Sequence, residues 1–124
     1  MKLTEKDFDD IVKKAIARIP YEIHQYLDNI VISVKRRPSK KMLKDMGLSS
    51  EALLLGIYSG VSIVDRSATN PPLFPDSIIL FQDPLEQICE TLQELEEEIE
   101  ITVVHEIAHF MGISDERLEE LGYG

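Results

Sequence analysis

The sequence predicts a small α+β domain, because helical patterns occupy both ends of the chain and short β-branched runs lie between them. Apolar side chains recur at helical spacing before Pro20, and again over a long stretch that ends near Met111. Between these stretches, Ile30–Val34 and Ser77–Phe81 are short apolar runs rich in β-branched residues, which is typical of strands. This arrangement favours helices that enclose a few strands in the middle of the chain.

Length and composition predict one cytoplasmic domain over residues 1–124. Apolar residues make up 44% of the chain and charged residues 29%, which is ordinary for a globular protein. No apolar run is long enough to span a bilayer, and the first residues are charged where a secretory signal would be apolar. Cys89 is the only cysteine, which excludes an internal disulfide framework.

The net charge of −10 is distributed unevenly along the chain. Residues 1–66 carry 12 basic against 9 acidic side chains, whereas residues 67–124 carry Arg117 against 14 acidic side chains. Such an acidic half would repel phosphates, so we expect neither a nucleic-acid nor a membrane partner. The basic run Lys35–Arg37 is interpreted as a solvated segment.

In the first half of the chain, the sequence predicts three helices around the strand Ile30–Val34. Thr4 is a candidate N-cap of the first helix. The apolar positions of that helix are Phe8, Ile11, Val12, Ala15 and Ile19. Pro20 is compatible with the start of a second short helix over Tyr21–Asp28. A third helix is predicted over Ser39–Met46, since Gly47 follows it as a stop signal.

The middle of the chain predicts strands and a loop. Ala52–Tyr58 is apolar and is expected to form a strand that leads into a hairpin with Val61–Val64. Residues 68–76 contain three prolines and are expected to form a loop. A helix is predicted from Leu85, with Pro84 near its N-terminus.

Two helices complete the prediction. A long one is expected from Gln93 to Met111, ending at Gly112, and a short one over Ser114–Leu121. The long helix is apolar around most of its circumference near its C-terminal end, as expected of a buried helix.

The residues most informative about function lie near the end of the long helix. His105 and His109 are four positions apart, so both imidazoles project from one face and can reach one metal ion. Glu106 lies about 100° further around the helix, a position that suits a carboxylate taking a proton from an activated water. The alternatives are a buried hydrogen-bonded histidine pair and a salt-bridged glutamate.

Gly112 and Asp115 extend the pattern beyond the helix. A glycine three residues after His109 allows the chain to reverse, and Asp115 can then face the two imidazoles. Two histidines and one carboxylate leave a fourth zinc position open, as in catalytic sites. The alternative for Asp115 is that it favours the N-terminus of the following helix.

His105-Glu106-x-x-His109-x-x-Gly112-x-x-Asp115 resembles the extended zinc signature of the metzincin branch of zincin metallopeptidases, with aspartate at the third ligand position. The whole chain resembles a family of short bacterial zincin-like metallopeptidases. The resembling stretches are residues 54–58, 78–81, 84–86 and 102–121. This resemblance implies a minimal zincin fold, which is a small mixed β-sheet with flanking helices and a long helix that carries the motif. It also implies one Zn²⁺ ion, the metal ligands His105, His109 and Asp115, and the general base Glu106.

The implied activity is hydrolysis of peptide bonds in a peptide or protein substrate. Tyr58 and Tyr123 are candidates for a phenol that stabilises the oxyanion. Ser77–Phe81 is a candidate edge strand for the substrate, and a plain core strand is the alternative. No methionine follows Asp115, so the methionine turn of larger metzincins is missing. We therefore expect weak or narrowly specific cleavage, or a protein partner that completes the cleft.

Two other functional classes stay open on the sequence alone. A zinc hydrolase of non-peptide amides or esters would use the same ligands. A non-catalytic metal-dependent binding or regulatory module would need neither a complete cleft nor Glu106 as a base.

Overall fold

The computed structural model describes residues 1–59 and 76–123. The helices are α1 (Glu5–Ala17), α2 (Tyr21–His24), α3 (Lys40–Asp45), α4 (Gln82–Ile88), α5 (Leu92–Met111) and α6 (Asp115–Glu120), and the strands are β1 (Ile30–Lys35), β2 (Gly56–Ser59) and β3 (Asp76–Phe81). A 3₁₀ helix, Gln25–Asn29, joins α2 to β1. The predicted α+β class is confirmed.

The first helix forms as its apolar spacing predicts. The hydroxyl of Thr4 accepts a hydrogen bond from the backbone N–H of Asp7, which caps the N-terminus of α1. Phe8 and Ala15 are fully buried on the face of α1 that packs against α5. The predicted single helix over Tyr21–Asp28 is instead divided into α2 and the 3₁₀ helix.

The three described strands form one mixed sheet in the order β1-β3-β2. β1 runs parallel to β3, with Ile32 beside Ile78, and β2 runs antiparallel to β3, with Tyr58 also beside Ile78. The prediction of Ser77–Phe81 as a free edge for substrate is therefore wrong, because both sides of β3 already carry a strand.

The predicted strand Ala52–Tyr58 is observed only over the four residues Gly56–Ser59. The expected hairpin partner Val61–Val64 and the proline-rich loop lie outside the described residues, apart from Asp76, which is the first residue of β3. The helix that was expected from Leu85 begins earlier, at Gln82, directly after β3.

The 20-residue helix α5 runs through the centre of the domain. The hydroxyl of Thr91 accepts from the backbone N–H of Glu94 at its start, and Gly112 ends it with a φ of 71°, in the left-handed region that glycine adopts without strain. The buried residues of α5 are Leu95, Ile99, Thr102, Val103, Val104, Ile107 and Ala108. One side of this helix is therefore buried in the core, and the predicted motif lies near its C-terminal end.

The sheet lies close to α5 at Gly56. A Cβ atom at this position would lie 2.9 Å from Cγ2 of Thr102 and 3.2 Å from the carbonyl oxygen of Ile79. Only glycine allows β2 to approach α5 this closely. In the described part of the chain, no helix combines the length and the apolar character needed to cross a membrane.

Candidate metal and catalytic site

The last two turns of α5 carry the three motif side chains. The ring centroids of His105 and His109 are 6.4 Å apart, and the ring planes meet at 76°. His105 and Glu106 are half-buried, whereas His109 is exposed. The structure thus places both imidazoles on one region of the helix surface, with the carboxylate on the neighbouring face, as the helical spacing predicts.

Glu106 is oriented by the sheet. The backbone N–H of Tyr58 in β2 donates a hydrogen bond of 3.1 Å to Oε2 of Glu106. The Tyr58 ring stacks on Phe110, with centroids 4.0 Å apart and planes within 11°. Since Phe110 lies one helical turn after Glu106, β2 contacts α5 through both its backbone and its side chain.

The protonation of Glu106 responds to these surroundings. Burial raises the pKa of its carboxyl above the ordinary value, and the N–H of Tyr58 and the two imidazoles oppose part of that increase. A carboxyl with a raised pKa accepts a proton more readily near neutral pH, as a general base that later donates the proton must do. This shift supports a catalytic role but also accompanies burial in structural carboxyls.

His105 contacts the C-terminal segment. Its Nε2 lies 3.0 Å from the carbonyl oxygen of Tyr123. Because a carbonyl only accepts, Nε2 is the donor in this hydrogen bond, and a neutral ring then keeps Nδ1 as its acceptor atom. Binding of a metal through Nε2 would require this hydrogen bond to break.

The two tyrosines expected as oxyanion stabilisers both donate to carboxylates elsewhere. The phenol of Tyr58 donates to Oδ2 of Asp76 over 2.9 Å. The phenol of Tyr123 donates to Oε2 of Glu100, and burial raises the pKa of this phenol. Neither sequence spacing nor residue type indicated the role of the Tyr58 backbone N–H or of the Tyr123 carbonyl.

Asp115 occupies the first position of α6 and is exposed. Ser114 caps this helix by accepting from the backbone N–H of Arg117 at 3.1 Å. Arg117 in turn donates from Nε to Oε2 of Glu22 over 2.7 Å, which ties α6 to α2. The position of Asp115 is therefore set by a helix that is attached to the N-terminal part of the domain.

The donor types at this end of α5 match those that zinc takes, which are two imidazoles and a carboxylate. Within residues 1–59 and 76–123, however, no three histidine, cysteine, aspartate or glutamate side chains lie close enough together to hold an ion. The donor chemistry fits zinc, and a complete ligand set would require Asp115 to approach His105 and His109.

Comparison with known proteins gives a family match over most of the chain. Residues 27–124 match the family model described as zincin-like metallopeptidase. The match begins within the 3₁₀ helix and includes the sheet, α5 and α6. The curated proteins give no match to this chain.

Proposed function

Since the chain belongs to the zincin-like metallopeptidase family, we propose that it hydrolyses peptide bonds with one zinc ion held by His105, His109 and Asp115, and with Glu106 as general base. The observation that carries this proposal is the position of Glu106. It lies on a buried helix beside two imidazoles, and a backbone N–H from the sheet orients it.

When bound, zinc would make a water molecule more acidic and would polarise the carbonyl of the substrate. The work of the chain falls mainly to Glu106. Its Oε2 is held by Tyr58, whereas Oε1 has no hydrogen-bond partner among the described residues. We assign to Oε1 the removal of a proton from the attacking water and its return to the nitrogen of the leaving amine.

The proposed substrate is a peptide or protein segment with an apolar side chain near the scissile bond. A cavity of about 200 Å³ lies beside the last turn of α5, and its lining includes the apolar or aromatic Tyr26, Ile30, Phe110 and Met111 and the polar Gln25, Asn29 and Asp76. The aromatic and aliphatic part of this lining favours an apolar side chain, and the polar part can bind hydrogen-bonding groups beside it. We also propose a cytoplasmic location, supported by a buried Cys89 without a disulfide partner.

A non-catalytic module is the second candidate, and two observations favour it. Asp115 is not gathered with the two imidazoles, and Nε2 of His105 already donates to Tyr123. A module of this kind would bind its partner equally well whether Glu106 is ionised or replaced. A partner that brings α6 towards α5 would place Asp115 beside the imidazoles and complete the ligand set. The protein would then both bind a partner and act as a peptidase.

The test is to measure zinc content and peptide cleavage in the parent protein and in Glu106→Gln. We expect about one equivalent of zinc in both, since Glu106 is not a ligand. Cleavage of a mixed peptide library should fall by about 10²–10⁴-fold in the variant, because a general base is removed. Glu119→Gln, an exposed substitution in α6, is the control and should cleave like the parent.

Two results would contradict the proposal. Unchanged cleavage in Glu106→Gln would exclude Glu106 as the base. Failure of the parent to bind zinc after titration with the metal would exclude the site itself. Metal binding without any cleavage, with partner binding unaffected by Glu106→Gln, would favour the module.

A further inference from the structure

A second site lies beside β1, at the edge of the sheet opposite β2. An open groove of about 590 Å³ separates α1 from β1, and none of the proposed zinc ligands or Glu106 lines it. One wall is the strand segment 32–35. The other wall is a single face of α1, which contributes Glu5, Asp9, Val12, Lys13 and Ile16. The groove is therefore independent of the proposed peptidase site.

The groove follows the edge of β1 rather than one of its faces. Residues 32–35 are consecutive, and successive strand residues point to opposite faces of a sheet. All four can line one groove only if it meets the strand from the side. Among the described strands, β1 pairs with β3 alone, so its outer edge carries backbone N–H and C=O groups without a strand partner.

The chemistry of the walls suits a polypeptide. Val12, Ile16 and Ile32 supply apolar surface within the groove. Glu5, Asp9, Lys13 and Lys35 supply charges of both signs, and the described part of the structure gives none of these four an ion-pair partner. Arg36 also lines the groove and is paired with Asp83. The charges that face a ligand are therefore of both signs, two carboxylates and three cations, and a peptide can carry charges complementary to both.

A buried amide marks one end of the groove. Gln82 lines the groove but is fully buried, and its Nε2 donates to the carbonyl of Leu3 and to Oε2 of Glu86. Its Oε1 is buried and has no hydrogen-bond partner among the described residues. A buried carbonyl without a donor is costly, and an N–H group in the groove could satisfy it only if the Gln82 side chain moves to expose Oε1.

We propose that this groove binds an extended peptide segment of a partner protein, which adds to the sheet as a strand beside β1. Backbone hydrogen bonds to the outer edge of β1 supply affinity. Apolar side chains of the segment pack on Ile16 and Ile32, and its charged side chains oppose those of α1 and Lys35. At the Gln82 end, movement of the Gln82 side chain exposes Oε1, and an N–H group of the segment then donates to it.

The test uses synthetic hexapeptides, which match the six residues of β1. They are acetylated and amidated, and valine alternates with lysine or glutamate in every combination of signs. Each peptide is titrated into ¹⁵N-labelled full-length protein. We expect saturable shifts confined to the amides of β1 and α1 and to the Gln82 side chain, with slower hydrogen exchange along β1. Every second N–H group of an extended peptide points to the same side. N-methylation of the set that faces β1 should weaken binding by roughly fivefold to tenfold, because it removes those hydrogen bonds.

Two pairs of adjacent residues on α1 give matched controls. Lys13 lines the groove and Lys14 does not, so Lys13→Glu should weaken binding of the glutamate-rich peptides by about twofold to fivefold, while Lys14→Glu leaves it unchanged. By the same reasoning, Asp9→Lys should weaken binding of the lysine-rich peptides, whereas Asp10→Lys, which does not line the groove, should leave it unchanged.

The proposal is overturned if no hexapeptide shifts the β1 amides up to millimolar concentration. It is equally overturned if the shifts map to α5 and β2, or if both members of a matched pair act alike. Concentration-dependent shifts at β1 without peptide would assign the groove to a second copy of this chain instead.

Discussion

The backbone N–H of Tyr58 donates a 3.1 Å hydrogen bond to Oε2 of Glu106, and it joins β2 to α5 beside the two motif imidazoles. One carboxylate oxygen is thereby fixed by the sheet. The orientation of the proposed base depends on the distance between β2 and α5, which the absence of a side chain at Gly56 keeps small.

We expect Gly56→Ala to destabilise the protein by about 1–3 kcal/mol, because overpacking forces atoms apart. The new Cβ would lie 2.9 Å from Cγ2 of Thr102. Urea unfolding measures the loss. Thr102→Ser removes that methyl group, so the double variant should be more stable than the sum of the two single effects predicts. Strict additivity would show that this contact is not the cause.

The stacked rings of Tyr58 and Phe110 should be energetically coupled. A double-mutant cycle with Tyr58→Leu and Phe110→Leu is expected to give a coupling of about 0.5–1.5 kcal/mol in the free energy of unfolding. Tyr58→Phe keeps the ring and serves as the control for the stack. A coupling energy near zero would mean that the two rings contribute only through the area that each buries separately.

Zinc should stabilise the parent protein if the proposed ligands bind it. At a free zinc concentration of about 100 times the dissociation constant, the expected gain is about 2.7 kcal/mol. His109→Ala and Asp115→Ala should lose most of that gain, and a chelator should reverse it in the parent.

Glu116→Ala is the matched control for Asp115→Ala, since both side chains are exposed acids in the first turn of α6. Both substitutions remove the same favourable charge from the helix N-terminus. An equal response of the two variants to zinc would exclude Asp115 as a ligand.

The link between α2 and α6 should weaken in acid. Hydrogen bonds from Arg117 hold the pKa of the Glu22 carboxyl below its ordinary value. Because the pKa is lower in the folded protein, the pair contributes stability above the pKa of an unfolded-chain glutamate and loses it as pH falls through the lower folded value.

Glu22→Gln should therefore be less stable than the parent at neutral pH, and the two should converge in acid. The difference will be small, since both side chains are partly solvated. Urea unfolding across a pH series measures it, with Glu119→Gln as the control. A difference between parent and Glu22→Gln that persists unchanged at low pH would show that ionisation of Glu22 does not contribute.

Several features of the protein could be predicted from residues close together in sequence. The apolar spacing and the Thr4 cap predict α1, and the projection of His105 and His109 from one helix face follows from their separation of four residues. The family is also recognisable from the motif, and the match over residues 27–124 confirms it. The assignment of the zinc ligands and of Glu106 as the base stays a prediction.

The sequence by itself determined α1, α5 and the strands β1 and β3, together with the face of α5 that carries the motif, because helix caps and side-chain periodicity act within a few residues. Only the tertiary structure decided that β3 lies between two strands, that Tyr58 holds Glu106 across 48 positions of sequence, and that Tyr123 reaches His105. Backbone N–H and C=O groups are the same in every non-proline residue, so their long-range partners depend on how the elements pack and not on residue type.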